Sequence, residues 1–158
     1  MPNESADVAI VSYDPVGCLG EHTTLVEGEP GAGHWASVYP EQRPFDVVTT
    51  GRLPDSAIAR ILVFEPVVAT AEGVRIGSSL VELLAAYPDI TAGDEIITRL
   101  YTLTDSAGSL VFEVAADNAP AGYWTPEQLN TVVFITAHAP GEKLGAIYAT
   151  DSAGSCPV

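Results

Sequence analysis

The side chains able to do chemistry are scattered along this 158-residue chain. His22, His34 and His138 are isolated, without the H-x-x-x-H spacing that would place two imidazoles on one helix face. Isolated histidines are more often structural or exposed than zinc ligands, which come as sets at characteristic spacings. We therefore predict no metal site and no cofactor.

Sequence motifs for catalysis are also missing. The chain has no G-x-S-x-G elbow, no P-loop and no C-x-x-C pair. Its 21 acidic residues could supply two carboxylates for general acid–base work, but the sequence does not select a pair. We assign no catalytic residue, and a hydrolase with a carboxylate site stays open as an alternative.

Four aromatic residues form the most suggestive remaining set. Trp35, Tyr39, Tyr123 and Trp124 all adjoin loops that contain glycine or proline. Amphipathic aromatic side chains in such places often make binding contacts, although they also occur at the edge of a core. We predict these four as ligand-binding residues.

The charge balance restricts the possible partners. The formal net charge is −15, with 6 basic residues against 21 acidic ones. Such a charge repels phosphate backbones and anionic lipids, so we predict no nucleic-acid binding. It either keeps the surface solvated or steers the protein toward a cationic partner. No stretch reaches the roughly 18–20 apolar residues of a membrane span, so we predict no membrane insertion.

The clearest local signal is a short helix over about residues 79–87. Ser79 and Glu82 have the capping-box spacing, in which each side chain binds a free amide at the helix start. Pro88 cannot continue the helix. An apolar stripe with helical spacing follows the cap. It consists of Leu80, Leu83, Leu84 and Tyr87, and we expect it to pack on Leu110, Phe112 and Val114.

Most of the remaining chain reads as strands separated by turn residues. A strand is predicted at 58–64, and a helix over 56–64 is the competing interpretation, but β-branched and aromatic residues favour the strand. In the strand at 109–116, Leu110, Phe112 and Val114 alternate with Glu113 and its neighbours, which predicts one buried face. The other strands are predicted at 7–13, 22–27, 34–39, 45–50, 97–104, 131–137 and 144–149.

These elements predict an α+β fold, a mostly antiparallel sheet with one principal short helix packed on it. We expect a single compact domain over residues 1–158, a size that buries about 70% of the unfolded surface. Its strand-rich N-terminal part (1–66) would meet a helix-plus-meander part (67–158) near Pro66.

A family resemblance rests on three stretches of the second half. AEGVRIGSSLVELLAAYPDI, LYTLTDSAGSLVFEVA and VVFITA together resemble uncharacterised secreted proteins and lipoproteins of actinobacteria. The helix followed by a meander is also similar to the β-lactamase-inhibitor-protein fold. In that fold an I-x-x-G-M-[ST] motif opens the helix, and Ile76-Gly77-Ser78-Ser79 stands in its place without the methionine. The resemblance implies an extracytoplasmic, non-enzymatic domain.

The two cysteines bear on the same question. Cys18 and Cys156 both lie beside turn-forming residues, not inside an apolar strand where a thiol would pack. We predict a disulfide between them, which requires an oxidising compartment. Residues 1–11 have no basic, then apolar, leader pattern, so a secreted or envelope location requires a leader outside this sequence. Two free thiols in a cytoplasmic protein are the alternative.

The functional hypothesis is therefore a non-enzymatic, extracytoplasmic binding module whose partner is a protein or a glycan. The hydrolase is one alternative. A structural subunit of a larger envelope assembly is another, and it would present a large exposed apolar patch.

Overall fold

The computed structural model describes residues 57–142 and 144, Phe45, and the backbone of three earlier strands. This part of the chain contains eight strands and one helix. The elements are β1 (Val11–Asp14), β2 (His34–Ser37), β3 (Phe45–Thr49), β4 (Ile58–Val63), α1 (Leu80–Ala86), β5 (Thr91–Asp94), β6 (Thr98–Asp105), β7 (Gly108–Ala115) and β8 (Val132–His138).

The strands form one sheet in the order β1-β2-β3-β4-β8-β7-β6-β5, and every neighbouring pair is antiparallel. Two meanders, β1 to β4 and β5 to β8, therefore meet where β4 pairs with β8. The predicted α+β fold, a mostly antiparallel sheet with one short helix packed on it, is confirmed. Within the described residues, no helix has the length and apolar character needed to cross a membrane.

Most predicted strands within the described residues are present, with described ends shifted by at most two positions. Of the strand predicted at 7–13, residues 11–13 lie in β1 and residues 7–10 lie outside the described residues. Strand β4 covers Ile58–Val63, so the strand interpretation was correct and the helix alternative was wrong. The exposed strand β5 was not predicted. The strand predicted at 22–27 lies outside the described residues, as do all positions but one of the strand predicted at 144–149.

Helix α1 begins as its sequence predicts. The Glu82 amide donates to Ser79 Oγ over 3.2 Å, and the Ser79 amide donates to Glu82 Oε2 over 2.7 Å, which completes the capping box. The cap backbone also joins the sheet, because the Leu80 amide donates to the Asn130 carbonyl over 2.7 Å. These bonds fix the start of the helix against the residues that precede β8.

The apolar side of α1 packs on one face of the sheet, which we call the helix face. Leu83 is fully buried in a cluster with Phe112 and Val114, and Leu80 and Tyr87 pack at its margin. The expectation for Leu84 was wrong, because its side chain is 42% exposed. A seven-residue helix presents only a narrow stripe to a sheet, and the rotation of α1 about its axis points Leu83, not Leu84, into the core.

The other side of the sheet, the opposite face, is also buried along β7. Val111, Glu113 and Ala115 have almost no exposed surface, so the prediction of one buried face was wrong. Trp124, from the segment between β7 and β8, covers part of this face by packing with Ala115 and Ile97. Glu113 is only 1% exposed, and its Oε2 accepts a hydrogen bond of 3.1 Å from Thr98 Oγ1. Alternation along β7 therefore separates two kinds of interior, one apolar and one partly polar.

Candidate functional site

One cavity in the described part of the chain lies between the C-terminal end of α1 and the turn that joins β6 to β7. We call it the turn pocket. Its volume is about 500 Å³, within the range typical of ligand pockets. Apolar residues at the ends of β6, β7 and β8 line it together with two carboxylates and a phenol. Its lining includes Glu72, Tyr87, Asp105, Leu103, Leu110 and Ala137.

Tyr87 and Glu72 form one wall of the turn pocket. The ring of Tyr87 packs on Phe112, with 5.6 Å between ring centroids, so the phenol is held by the core of the helix face. Its hydroxyl donates to Glu72 Oε2. This bond, assisted by the backbone amide of Glu72 and the hydroxyl of Thr70, lowers the pKa of Glu72. Glu72 is therefore an anion at neutral pH and remains one in mild acid.

Asp105 is placed at the other wall by the β6–β7 turn. Its Oδ1 accepts a hydrogen bond of 2.7 Å from the Ala107 amide, a local arrangement that holds the carboxylate at the turn. Gly108 follows with φ of +142°, and a Cβ there would lie 2.1 Å from the His138 carbonyl oxygen. Only glycine permits this approach of β7 to β8. Because Asp105 is paired with Gly108 across the β6–β7 turn, the close approach also fixes the position of Asp105.

A second, smaller cavity lies along the first turns of α1, and we call it the helix pocket. Its volume is about 380 Å³, and its lining includes Glu72, Glu82 and Ala86. Hydrogen bonds from the backbone and hydroxyl of Ser79 lower the pKa of Glu82, which is also an anion at neutral pH. Because Glu72 lines both cavities, the two adjoin, and carboxylates from three parts of the chain face them.

The composition of the two pockets suits a ligand with an apolar body and positively charged ends. Carboxylates accept hydrogen bonds and attract cations, while the leucines of the turn pocket offer contact to methylene groups. Thr104 and Ser109 also border the turn pocket, and their hydroxyls lie 2.9 Å apart, within hydrogen-bond distance of each other. Within the described residues, no group of three or more histidine, cysteine or acidic side chains could hold a metal ion.

Of the four aromatic residues predicted to bind a ligand, the structure describes the side chains of Tyr123 and Trp124, and neither lines the turn pocket or the helix pocket. Tyr123 and Trp124 are in edge-to-face contact, with 4.9 Å between ring centroids. Trp124 is buried and its Nε1 donates to the Ile97 carbonyl over 2.7 Å, whereas Tyr123 is 47% exposed. Trp35 pairs with Val47 between β2 and β3, and Tyr39 lies outside the described residues. The cysteines of the predicted disulfide, Cys18 and Cys156, also lie outside them.

The pocket carboxylates were not singled out by the sequence. Glu72 and Asp105 are 33 positions apart, and only the sheet brings them to one cavity. A partial signal existed in the turn sequence Asp105-Ser-Ala-Gly108, which fixes a carboxylate at the tip of a hairpin. Tyr87, directly before Pro88, was a second partial signal. A helix that ends at this position leaves the tyrosine side chain at the edge of the helix, where it can border a pocket.

No protein-family model matches the chain, and no curated protein matches it. One solved structure is similar, the crystal structure of the uncharacterized protein yfeY from Escherichia coli. The two chains share 14% sequence identity, with a TM-score of 0.46, over 81% of this chain and 80% of that one.

Proposed function

We propose that this protein is a non-enzymatic binding module that works outside the cytoplasm, and that its partner is a protein segment presenting lysine or arginine. The observation that carries the proposal is the placement of Glu72, Glu82 and Asp105 around two adjoining pockets. Lysine and arginine combine a methylene stem with a cationic end, which matches leucine walls and carboxylate rims.

The charge of the surrounding surface supports the same partner. Residues 57–142 carry 11 carboxylates against three arginines. An excess of one sign attracts the opposite sign over roughly 10 Å at moderate salt and raises the rate of encounter. A basic partner would thus be attracted to the protein, while nucleic acid would be repelled.

The test is a titration of the protein with a synthetic basic peptide, such as an octamer of alternating lysine and leucine. Isothermal titration calorimetry measures the dissociation constant. Glu72→Gln keeps an acceptor for the Tyr87 hydroxyl but removes the charge shared by both pockets. We expect roughly fivefold weaker binding, the factor equivalent to about 1 kcal/mol for a partly exposed ion pair. Asp105→Asn should weaken it by a similar factor.

The matched control is Glu95→Gln, which changes the net charge equally but lies in neither pocket. If Glu95→Gln weakens the peptide as much as Glu72→Gln does, the interaction is diffuse and the pockets are not the site. A titration with neutral oligosaccharides tests a glycan partner. Saturable binding of a sugar, with no binding of the basic peptide, would replace the protein partner with a glycan.

A hydrolase is the second candidate, favoured by the presence of two carboxylates in the turn pocket. A general acid requires a raised pKa, whereas the pKa of Glu72 is lowered by its bond from Tyr87. Glu72 therefore suits a cation-binding role better than proton donation. Turnover of glycoside or peptide substrates that disappears in both Glu72→Gln and Asp105→Asn would reverse this preference.

The proposed location is supported by the family resemblance and by the predicted pairing of Cys18 with Cys156. Mass measurement after thiol alkylation of denatured protein, with and without reduction, tests the pairing. Alkylation of both cysteines without reduction would remove this support. The binding proposal would stand, because it depends only on the two pockets.

A further inference from the structure

Arg60 and His138 form a buried polar pair on the opposite face of the sheet. The two residues are direct partners in the register of β4 and β8. Such partners extend to the same side of a sheet with Cβ atoms about 4.5–5.5 Å apart. The His138 side chain belongs to a residue that is only 5% exposed, and Arg60 is partly buried beside it.

The nitrogen atoms of this pair are buried without hydrogen-bond partners. Arg60 Nε and both ring nitrogens of His138 have no partner among the described residues. A buried donor left in this state costs about 1–3 kcal/mol, and folded proteins satisfy nearly all such groups. Three such atoms on adjacent strands therefore indicate that a group from outside the described residues binds there.

The surroundings of the pair are polar as well. Ser109 is the partner of His138 on β7, and Thr136, two residues before His138, is fully buried on the same face. Glu142 follows β8 and raises the pKa of Arg60 through its charge, while burial has the larger, lowering effect. Within the described residues, Arg60 and Glu142 form no ion pair. A purely apolar ligand would leave Arg60 Nε and both ring nitrogens of His138 unsatisfied.

The donor chemistry selects the ligand. An arginine Nε–H can only donate, and a neutral histidine donates from one nitrogen and accepts at the other. Burial, and then the neighbouring charge of Arg60, lower the pKa of His138, so the pair carries one positive charge at neutral pH. One positive charge in a protein of net charge −15 suits a single negative charge better than a double one.

We propose that Arg60 and His138 form a binding site for a carboxylate group, whose two oxygens accept from Arg60 Nε and from a ring nitrogen of His138. The site is separate from the cation-binding pockets of the proposed function, although His138 also borders the turn pocket. It would allow the protein to hold an acidic group of a small molecule or of a partner chain on the opposite face, over β4 and β8.

The test is an NMR titration of the histidine side chains with sodium acetate, at pH 7 and constant ionic strength set with chloride. We expect a saturable shift of the His138 resonances. Bound acetate should also raise the pKa of His138, because a nearby negative charge favours the imidazolium form. Sodium phosphate at equal concentration should produce a weaker shift.

Arg60→Lys keeps the positive charge but removes the Nε donor, and should weaken acetate binding about tenfold or more. Arg99→Lys is the control, since Arg99 pairs with the exposed Asp94 at 2.7 Å, away from β4 and β8. Phosphate binding without acetate binding would overturn the carboxylate assignment. Unchanged His138 resonances with both anions would mean that ordered water or another part of this chain satisfies the pair, and would overturn the proposal. These titrations use the unaltered protein, so they decide the matter even if Arg60→Lys does not fold.

Discussion

The two faces of the β6–β7–β8 meander differ in what they bury. The helix face buries Leu83, Phe112 and Val114 in one apolar cluster. The opposite face buries Thr98, Glu113 and Thr136 among its apolar residues. Burial on the first face stabilises through removed apolar surface, whereas on the second it is tolerated only where polar groups find partners. Burial alone therefore does not identify a stabilising position in this sheet.

The sharpest test of the helix face compares two adjacent leucines. Leu83→Ala removes a fully buried side chain and should lower the free energy of unfolding by about 2–5 kcal/mol. Leu84→Ala is the control and should cost less than about 1 kcal/mol, because Leu84 is largely exposed. Urea denaturation of both variants gives the two values. Equal losses would mean that α1 packs in a different rotation.

The opposite face is tested by removing one hydroxyl. Thr98→Val keeps the volume but deletes the hydrogen bond to Glu113, and should cost about 1–3 kcal/mol. Thr102→Val changes the same group on the same face of β6, at a half-buried position, and should cost less than about 0.5 kcal/mol. If the two variants are equally stable, the bond to Glu113 contributes nothing and the two faces do not differ as described.

The attachment of the helix to its face can be weakened at the cap. Ser79→Ala removes the acceptor for the Glu82 amide and should cost about 1 kcal/mol. Val81→Ala, at an exposed position two residues further along the chain, should be neutral or slightly stabilising because alanine favours helices. Thermal denaturation of the pair separates the cap from general helix propensity. A stable Ser79→Ala variant would show that the Asn130 contact alone positions α1.

The smallest expected effect is a pH dependence on the opposite face. The pKa of His138 is lowered below 6.5 in the folded protein, so the unfolded chain binds the proton first as the pH falls. The contribution to stability is complete above pH 6.5 and is lost as the pH falls toward the lowered value. His138→Gln should therefore reduce the loss of stability between pH 7.5 and 5.5.

Urea denaturation in chloride buffers free of carboxylates measures this difference. His22 and His34 are present in both proteins, so their titration cancels in the comparison. An identical pH dependence of wild type and His138→Gln would mean that His138 is hydrated and titrates normally.

The sequence predicted the elements whose signals are local. Ser79 and Glu82 mark the start of α1 within four residues, and strand-forming side chains identify β4, β6, β7 and β8. Strand β5 carries no such signal, because Thr91–Asp94 contains no alternating apolar residues and is held by its pairing with β6. The predictions for Leu84 and Glu113 failed for a related reason. Their exposure depends on packing between distant segments, which a local pattern does not contain.

The candidate sites were harder to predict than the fold. Glu72 and Asp105 meet through the sheet, and Arg60 meets His138 through the register of two strands distant in sequence. The aromatic set was chosen because its members adjoin turns. For Trp124, the adjacent turn places the indole in a cluster with Ala115, where its Nε1 is bound. Contacts of this kind follow from topology, and residue type alone does not indicate them.

Strand β5 has a consequence for the behaviour of the chain in concentrated solution. It ends the sheet order, and a strand at such an edge offers free amides and carbonyls to other molecules, which is a route to fibrils. Here the edge strand has only four residues, all exposed, and contains Gly93 and the charged Asp94. A strand so short and polar is a poor template for edge-to-edge pairing. This end of the sheet thus protects the protein from self-association through its own backbone.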